Sequence, residues 1–318
     1  MSAPLLSIKD LSVTFESRYG VLRAVDRLSL TMKPGEILGL VGESGAGKSM
    51  TGSAIMGLID PPGQISGGEI WLEGERVDTQ PEIFRGPKIS MIFQDPLTSL
   101  NPLRTIGDQI IETIRRHAKV TNGQATDRAK QVLTDVGIDP ARLNDYPHVF
   151  SGGMRQRVVI ALALVTEPRL IIADEPTTAL DVSVQAQILD LLQALCRDRG
   201  ASVLLITHDM GVIAETTDRV AVLYAGRLIE VGDTRAVLTD PQHPYTRGLV
   251  ASTPSVDPSL NDEQLYQIPG AMPKLDALPS GCAFHPRCDS ATSQCAMEQP
   301  QFFGERAACW LLDKKEQS

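Results

Sequence analysis

The chain has 318 residues, of which 42% are hydrophobic, 22% charged and 4% aromatic, as is typical of a folded globular protein. Its net charge of −9 disfavours nonspecific nucleic-acid binding, which depends on clustered Lys and Arg. The longest apolar runs, such as 158–165, are far shorter than the roughly 20 residues of a membrane-spanning helix. The N-terminus carries no secretory signal pattern. We therefore expect a cytoplasmic chain that does not span a membrane.

Strand patterns and helical patterns alternate along the chain. Two runs at 7–15 and 23–32 predict antiparallel strands, and 36–41 predicts a buried strand that leads through a glycine loop into a helix at 49–58. Further short apolar runs predict strands at 88–93, 170–173, 202–207 and 219–223. Helical patterns separate these runs, as expected of a mostly parallel sheet covered by helices. The predicted fold class is therefore α/β.

A long stretch of helical periodicity lies between the strands predicted at 88–93 and 170–173. Its apolar residues fall on helix faces, namely Ile106, Ile110, Ile111 and Ile114 in one segment and Ala129, Val132 and Leu133 in another. So long a crossover predicts a helical subdomain at about 97–165. Pro, Gly and Ser become frequent from Pro241 onward. We predict a main domain over 1–240 and a small loop-rich C-terminal extension over 241–318.

The glycine loop after the third predicted strand has the phosphate-loop pattern, a Gly followed after four residues by Gly-Lys-Ser. Its glycines allow backbone N–H groups to converge on phosphates, Lys48 can reach the outer phosphates, and Ser49 can bind Mg²⁺. A glycine turn that happens to precede Lys-Ser is the alternative. The predicted nucleotide-binding residues here are Gly42, Glu43, Ser44, Gly45, Ala46, Gly47, Lys48, Ser49 and Met50.

The strand predicted at 170–173 leads into two adjacent carboxylates, Asp174 and Glu175. Adjacent residues of a strand point to opposite sides. Asp174 can therefore face Mg²⁺ while Glu175 is directed at an attacking water, as phosphoryl transfer requires. Such a pair alone usually marks a solvated strand end. Together with the phosphate loop it predicts phosphoryl transfer from a bound nucleotide, with Glu175 and Lys48 among the catalytic residues.

The segment Phe150-Ser151-Gly152-Gly153-Met154-Arg155-Gln156 makes the sequence resemble the nucleotide-binding subunit of an ABC transporter. In that family the Ser-Gly-Gly turn opens a helix and meets the γ-phosphate of ATP bound to the opposite subunit. Met154 replaces the usual Gln and leaves Ser151, Gly152 and Gly153 unchanged. The resemblance implies a P-loop NTPase core of ABC type with an antiparallel β subdomain and a helical subdomain.

The resemblance extends to single positions elsewhere in the chain. It implies that Gln94 senses Mg²⁺ and water, that Asp181 lies at the seam of an ATPase dimer, and that His208 holds the γ-phosphate. The alternatives are a loop amide, a helix N-cap and a histidine at a strand end. Tyr19 is the candidate for an aromatic residue that stacks on adenine, and a surface tyrosine in a turn is its alternative.

Three segments narrow the resemblance to the ATPase subunits of dipeptide and oligopeptide importers: 94–102 (QDPLTSLNP), 174–182 (DEPTTALDV) and 243–246 (HPYT). Relatives in that group also import nickel or glutathione, so the cargo stays open. The resemblance implies a homologous second ATPase subunit, two transmembrane permease subunits and an extracytoplasmic substrate-binding protein, assembled at the inner membrane. A soluble ABC ATPase acting on nucleic acid is the alternative, disfavoured by the acidic charge and the single nucleotide site.

The C-terminal extension carries Cys282, Cys288, Cys295 and Cys309, four of the five cysteines. Thiolates in a reducing compartment bind Zn²⁺ or an iron–sulfur cluster, and the long spacings favour a [4Fe–4S] cluster. The other reading is four reduced cysteines that pack as small apolar side chains. A bound metal could stabilise an extension that buries little surface. Cys196, on a predicted helix, is expected to lie in the core.

Overall fold

The structure of the chain is a computed structural model that describes residues 3–18, 20–178, 180–253, 266–304 and 306–316. The chain divides into two compact units. The first unit comprises Met1–Lys33, Leu38–Thr79 and Ile206–Ser318, and the second comprises Pro34–Ile37 and Gln80–Leu205. The domain boundary predicted near residue 240 is a different division, and it stays a prediction.

Strands and helices alternate through most of the described chain. The strands are β1 (Leu6–Ser17), β2 (Gly20–Met32), β3 (Ile37–Val41), β4 (Gly63–Leu72), β5 (Glu75–Arg76), β6 (Ile89–Ile92), β7 (Leu170–Asp174), β8 (Ser202–Thr207), β9 (Arg219–Tyr224) and β10 (Arg227–Asp233). The α-helices are α1 (Lys48–Met56), α2 (Pro81–Phe84), α3 (Pro96–Ser99), α4 (Ile106–His117), α5 (Asn122–Asp135), α6 (Gly152–Leu164), α7 (Val182–Arg199), α8 (Met210–Thr216), α9 (Thr234–Thr239), α10 (Pro244–Ala251), α11 (Ser293–Met297) and α12 (Trp310–Glu316). All the predicted strands are confirmed, and the helix predicted at 49–58 is confirmed as α1. Among the helices of the described residues, none combines the length and the apolar composition needed to cross a membrane.

The first unit contains an antiparallel sheet of order β2–β1–β4–β5. β1 pairs along its length with β2, from Leu6 opposite Met32 to Ser17 opposite Gly20, and pairs with β4 on its other side. The two N-terminal strands were predicted from their alternation, and the structure confirms them. β4 was not predicted, because its glycines have low strand propensity and interrupt the apolar pattern.

The first unit also contains β10, β9 and β3, which are neighbours in that order in a second sheet. β3 runs parallel to β9, and β9 runs antiparallel to β10. Against this part of the sheet lies an aromatic cluster in which Tyr224, Tyr245 and Phe284 meet edge to face, with ring centroids 4.7–5.4 Å apart. Since Tyr245 and Phe284 belong to the segment after residue 240, that segment shares a hydrophobic core with β9.

The second unit contains β6, β7 and most of β8, with β6 parallel to β7. Its helices bury the residues that the helical periodicity singled out, except Ile111, which is half-buried. Ile106, Ile110 and Ile114 of α4 are buried, and so are Ala129, Val132 and Leu133 of α5. Cys196 on α7 is buried as predicted, with 3% of its surface exposed. The parallel pairing and the helices confirm the predicted α/β class.

Candidate nucleotide site

The phosphate loop connects β3 to α1 in the first unit, as predicted. Gly42, Gly45 and Gly47 have φ angles of +155°, +83° and +100°, a range that side-chain-bearing residues rarely adopt. A Cβ atom added at Gly42 would lie 2.3 Å from the carbonyl oxygen of Leu223, and one at Gly47 would lie 2.6 Å from that of Ala24. The path of the loop therefore requires glycine at both positions.

Lys48 is the first residue of α1 and is 95% buried, with 5% exposure. Its Nζ donates to the carbonyl oxygens of Gly42 at 2.8 Å and Glu43 at 3.1 Å, which holds the ammonium against the loop. Ser49 follows it and is exposed. A buried cation at a helix N-terminus whose first residues follow a glycine loop is an arrangement that binds phosphate groups.

Two residues from the segment after residue 240 contact the phosphate loop at Glu43, and sequence reasoning gave neither a role. The backbone N–H of Glu43 donates to Tyr245 Oη at 2.8 Å. The Glu43 carboxylate accepts two hydrogen bonds from the Arg287 guanidinium, at 2.7 and 3.0 Å. Arg287 lies between Cys282 and Cys288 in sequence, and nothing in that local pattern indicates a contact with the loop.

In the second unit, β7 ends at Asp174, which is buried, and the next residue is the half-buried Glu175. Glu175 has a φ of +46°, an uncommon conformation for a residue other than glycine and a form of strain often found at functional sites. Its Oε2 accepts hydrogen bonds from Gln94 Nε2 at 3.1 Å and Thr178 Oγ1 at 2.9 Å. Two predicted site residues, Gln94 and Glu175, are thus in direct contact. Thr178 also contacts Glu175, although the sequence analysis gave Thr178 no role.

The Ser-Gly-Gly element begins α6. Ser151 is the N-cap, and its hydroxyl accepts a hydrogen bond from the Met154 backbone N–H at 3.4 Å. Gly153 packs so closely against Val184 of α7 that an added Cβ would lie 2.5 Å from a valine methyl. Gly152, at the start of the helix, is exposed. The element therefore presents a helix N-terminus with little side-chain bulk, which suits an anionic ligand.

Asp181 caps α7 by accepting from the Val184 N–H at 3.0 Å. That hydrogen bond and one from the Ser183 hydroxyl hold the pKa of Asp181 below its usual range. The N-cap role considered from sequence is thus confirmed, and a role at a dimer seam stays a prediction. His208 directly follows β8 and is exposed. Tyr19 lies outside the described residues.

Cys282, Cys288, Cys295 and Cys309 line one small cavity together with His243, Phe284 and Trp310. None of them forms a disulfide. Burial, with the neighbouring thiols adding to it, raises the pKa of Cys282 to about 11, and burial also raises the pKa of Cys288 and Cys309. Within the part of the chain that the structure describes, no three His, Cys, Asp or Glu side chains form a group that could hold a metal ion.

The site and fold define a nucleotide-binding protein, and comparison with known families identifies its class. Residues 25–178 match the ABC transporter family model, and residues 229–295 match the model of the oligopeptide/dipeptide transporter C-terminal region. A dimeric ATP-binding cassette solved in a post-hydrolysis state with ADP and Pi superposes with a TM-score of 0.64 and 28% identity, over 72% of this chain and 99% of that one. The cassette cbiO1 from Clostridium perfringens gives a TM-score of 0.66 at 26% identity, over 75% and 92% of the two chains. The chain is an ABC-type ATPase, as predicted.

Full-length relatives narrow this class. The dipeptide transport ATP-binding protein DppD of Bacillus subtilis is 45% identical over 98% of this chain and 96% of its own length. The oligopeptide transport ATP-binding protein OppD of Haemophilus influenzae is 46% identical over 98% of both chains. The chain belongs to the family of dipeptide and oligopeptide transport ATP-binding proteins. The roles of its individual site residues stay predictions.

Proposed function

We propose that this chain hydrolyses ATP to drive the import of dipeptides or oligopeptides through a membrane complex. The observation that carries the proposal is the similarity to peptide transport ATP-binding proteins over nearly the whole length of both chains. The similarity includes the C-terminal region, which has its own family model. Import of nickel or glutathione by the same mechanism remains the alternative cargo.

Within the first unit, the phosphate loop would bind the triphosphate of ATP. The buried Lys48 ammonium would place positive charge against the outer phosphates, and the N–H groups at the start of α1 would donate to phosphate oxygens. Ser49, Asp174 and Gln94 carry oxygen ligands of the kind that Mg²⁺ prefers. Mg²⁺, when bound, would neutralise charge that develops on the transferred phosphoryl group.

Glu175 is proposed to orient the attacking water. Its carboxylate is held by Gln94 and Thr178, and a fixed carboxylate can accept a hydrogen bond from water in a defined direction. His208 is proposed to hold the γ-phosphate and Asp181 to lie at the seam with a second ATPase. The Ser151 turn is proposed to bind the γ-phosphate of ATP held by that second subunit, since a helix N-terminus attracts anions.

Such a mechanism requires partners. We propose a homologous second ATPase, two membrane permeases, and an extracytoplasmic binding protein that delivers cargo through them, with this chain at the cytoplasmic face of the cell membrane. Closure of two ATPase subunits on two ATP molecules would move the permeases, and hydrolysis would reopen the pair. No nucleic-acid partner is expected, in keeping with the net charge of −9.

The uptake proposal is tested in cells that lack this chain. Complementation with the parent chain should restore uptake of a radiolabelled dipeptide, and Lys48→Ala expressed at the same level should not. Uptake of radioactive nickel and of labelled glutathione is measured in the same cells. If nickel or glutathione uptake is restored and peptide uptake is not, the cargo is nickel or glutathione rather than a peptide. If uptake of none of the three is restored, the import function is rejected.

We also propose that Cys282, Cys288, Cys295 and Cys309 hold a [4Fe–4S] cluster. The long spacings between the four cysteines favour a bulky cluster over a single Zn²⁺ ion. A cluster supplies one iron to each thiolate and therefore suits thiols spread around a shared cavity. The four cysteines line such a cavity. When bound, the cluster would supply structural cross-links or a redox centre.

Iron, acid-labile sulfide and zinc in the anaerobically purified chain test this second proposal, beside a variant with Ser at Cys282 and Cys288. Iron and sulfide in near-equal amounts, lost in the variant, would support the cluster. Zinc alone would indicate a structural ion. Absence of all three would leave four reduced thiols packed against one another, and the ATPase assignment would stand in each case.

A further inference from the structure

Glu43 places a carboxylate inside a loop that binds polyphosphate. The residue follows Gly42 and precedes the rest of the phosphate loop, and its side chain is 30% exposed. A negative charge near an anion site opposes the binding of a triphosphate through Coulomb repulsion. Unless a positive charge compensates it, the Glu43 carboxylate would therefore weaken the binding of a triphosphate to the loop.

Arg287 supplies that charge. Its guanidinium forms a two-point ion pair with Glu43, with N···O distances of 2.7 and 3.0 Å. The Arg287 side chain is only 6% exposed, so water screens the pair less than it would screen a surface ion pair. The guanidinium is also anchored, because Nε donates to the Pro269 carbonyl at 2.8 Å and Nη1 donates to Tyr224 Oη at 3.3 Å.

A second contact fixes the backbone at the same residue. Tyr245 Oη accepts the Glu43 N–H at 2.8 Å, and the Tyr245 ring packs edge to face against Tyr224. Arg287 and Tyr245 both come from the segment after residue 240. That segment thus forms hydrogen bonds to both the carboxylate and the backbone N–H of Glu43 in the phosphate loop.

We propose that Arg287 is a positioning residue of the ATP site, which cancels the charge of Glu43 and so raises the affinity of the phosphate loop for ATP. The inference rests on the proposed assignment of residues 42–50 to nucleotide binding. Arg287 acts through Glu43 and is not proposed to touch ATP. Tyr245 fixes the direction of the Glu43 backbone while Arg287 sets the net charge beside the loop.

A purely structural role for Arg287 predicts something different from charge compensation. If Arg287 only tethers its segment, removing either partner should weaken ATP binding or leave it as it is. If it compensates charge, Glu43→Gln should strengthen ATP binding, because the arginine charge is then no longer cancelled. The effect should be larger for ATP than for ADP, since ATP carries one more negative charge.

The experiment measures equilibrium binding of ATP and ADP to the full-length chain and its variants. Arg287→Gln is expected to weaken ATP binding about tenfold, equivalent to about 1.4 kcal/mol. Arg287→Lys keeps the charge and should lose about threefold or less. The double variant Arg287→Gln with Glu43→Gln should recover to within about threefold of the parent. Arg76→Ala removes another arginine–carboxylate pair, in which Arg76 of β5 donates two hydrogen bonds to Asp78 two residues later, and serves as the control.

The outcomes separate the inference from its premise. Lys48→Ala with parent-like ATP affinity would reject the assignment of the loop itself. If Lys48→Ala loses binding while Arg287→Gln does not, or while the double variant is no better than Arg287→Gln, charge compensation is wrong. Should Arg287→Gln fail to fold, Glu43→Gln alone decides, because weaker or unchanged ATP binding in that variant contradicts the proposal.

Discussion

Thr178→Val is expected to slow ATP hydrolysis without weakening ATP binding. Glu175, the proposed water-orienting residue, accepts hydrogen bonds from Gln94 Nε2 at 3.1 Å and from Thr178 Oγ1 at 2.9 Å. Valine keeps the shape of threonine and removes the hydroxyl donor. The carboxylate then has one hydrogen bond fewer to fix its direction toward water, while the phosphate loop is unchanged.

The size of the effect follows from that one hydrogen bond. A hydrogen bond to a charged group contributes about 1.5–3 kcal/mol. Thr178 is exposed, and competition with water reduces the contribution to about 1–2 kcal/mol. Since each 1.36 kcal/mol corresponds to about tenfold in rate, kcat should fall about 5- to 30-fold. The ATP dissociation constant should stay within about twofold of the parent value, because Thr178 is not placed on the nucleotide.

The assay is steady-state ATP hydrolysis at saturating ATP in the assembled transporter, paired with ATP binding to the isolated chain. Thr126→Val is the matched control, because the Thr126 hydroxyl donates only to a carbonyl within its own helix, at 2.9 Å. A kcat for Thr178→Val within twofold of the control would refute the reasoning. A fall in kcat matched by an equal loss of ATP affinity would also refute it.

Other variants test separate parts of the site and fold. Glu175→Gln should bind ATP and hydrolyse it at least about 100-fold more slowly. The complex should then stay closed and retain unhydrolysed ATP, which is measured in the complex fraction after gel filtration; parent-like turnover would reject the role of Glu175. Gly42→Ala should weaken ATP binding at least about tenfold, because the added Cβ would lie 2.3 Å from a backbone oxygen, whereas Gly123→Ala, with nothing within 4 Å, should bind ATP normally. Phe284→Ala should lower the free energy of unfolding by about 3–5 kcal/mol in guanidinium titrations, and the exposed Phe302→Ala by less than about 1 kcal/mol; similar losses would mean that the aromatic cluster is not a core.

The sequence predicts much of the site because its signals are local. The phosphate loop is contiguous, and its glycine positions, strand and helix can be read from one short segment. The contact between Gln94 and Glu175 has a topological cause, since each residue follows the end of a strand and β6 pairs in parallel with β7, with Ile92 opposite Ala173. The carboxyl ends of neighbouring parallel strands meet at one edge of the sheet.

Long-range contacts are where sequence reasoning stops. Arg287 and Glu43 are separated by 244 positions, and an arginine in a cysteine-rich turn has no periodic pattern that would point to a partner. Thr178 was passed over for a different reason, because a threonine after a carboxylate pair is common and only its hydrogen bond to Glu175 distinguishes it. β4 was missed because glycine carries no apolar signal, although its pairing with β1 specifies it fully.

The segment after residue 240 is loop-rich in sequence, yet it packs firmly into the apolar core of the first unit. Its loop-rich composition suggested that it buries little surface and depends on a metal for its fold. However, Phe284 is 96% buried, with 4% exposure, and packs against Tyr224 of β9. Packing a large aromatic ring stabilises a segment without any bound metal. Phe284 also lines the four-cysteine cavity, and Arg287, which contacts the phosphate loop, belongs to the turn that Phe284 precedes. The apolar core therefore anchors both features.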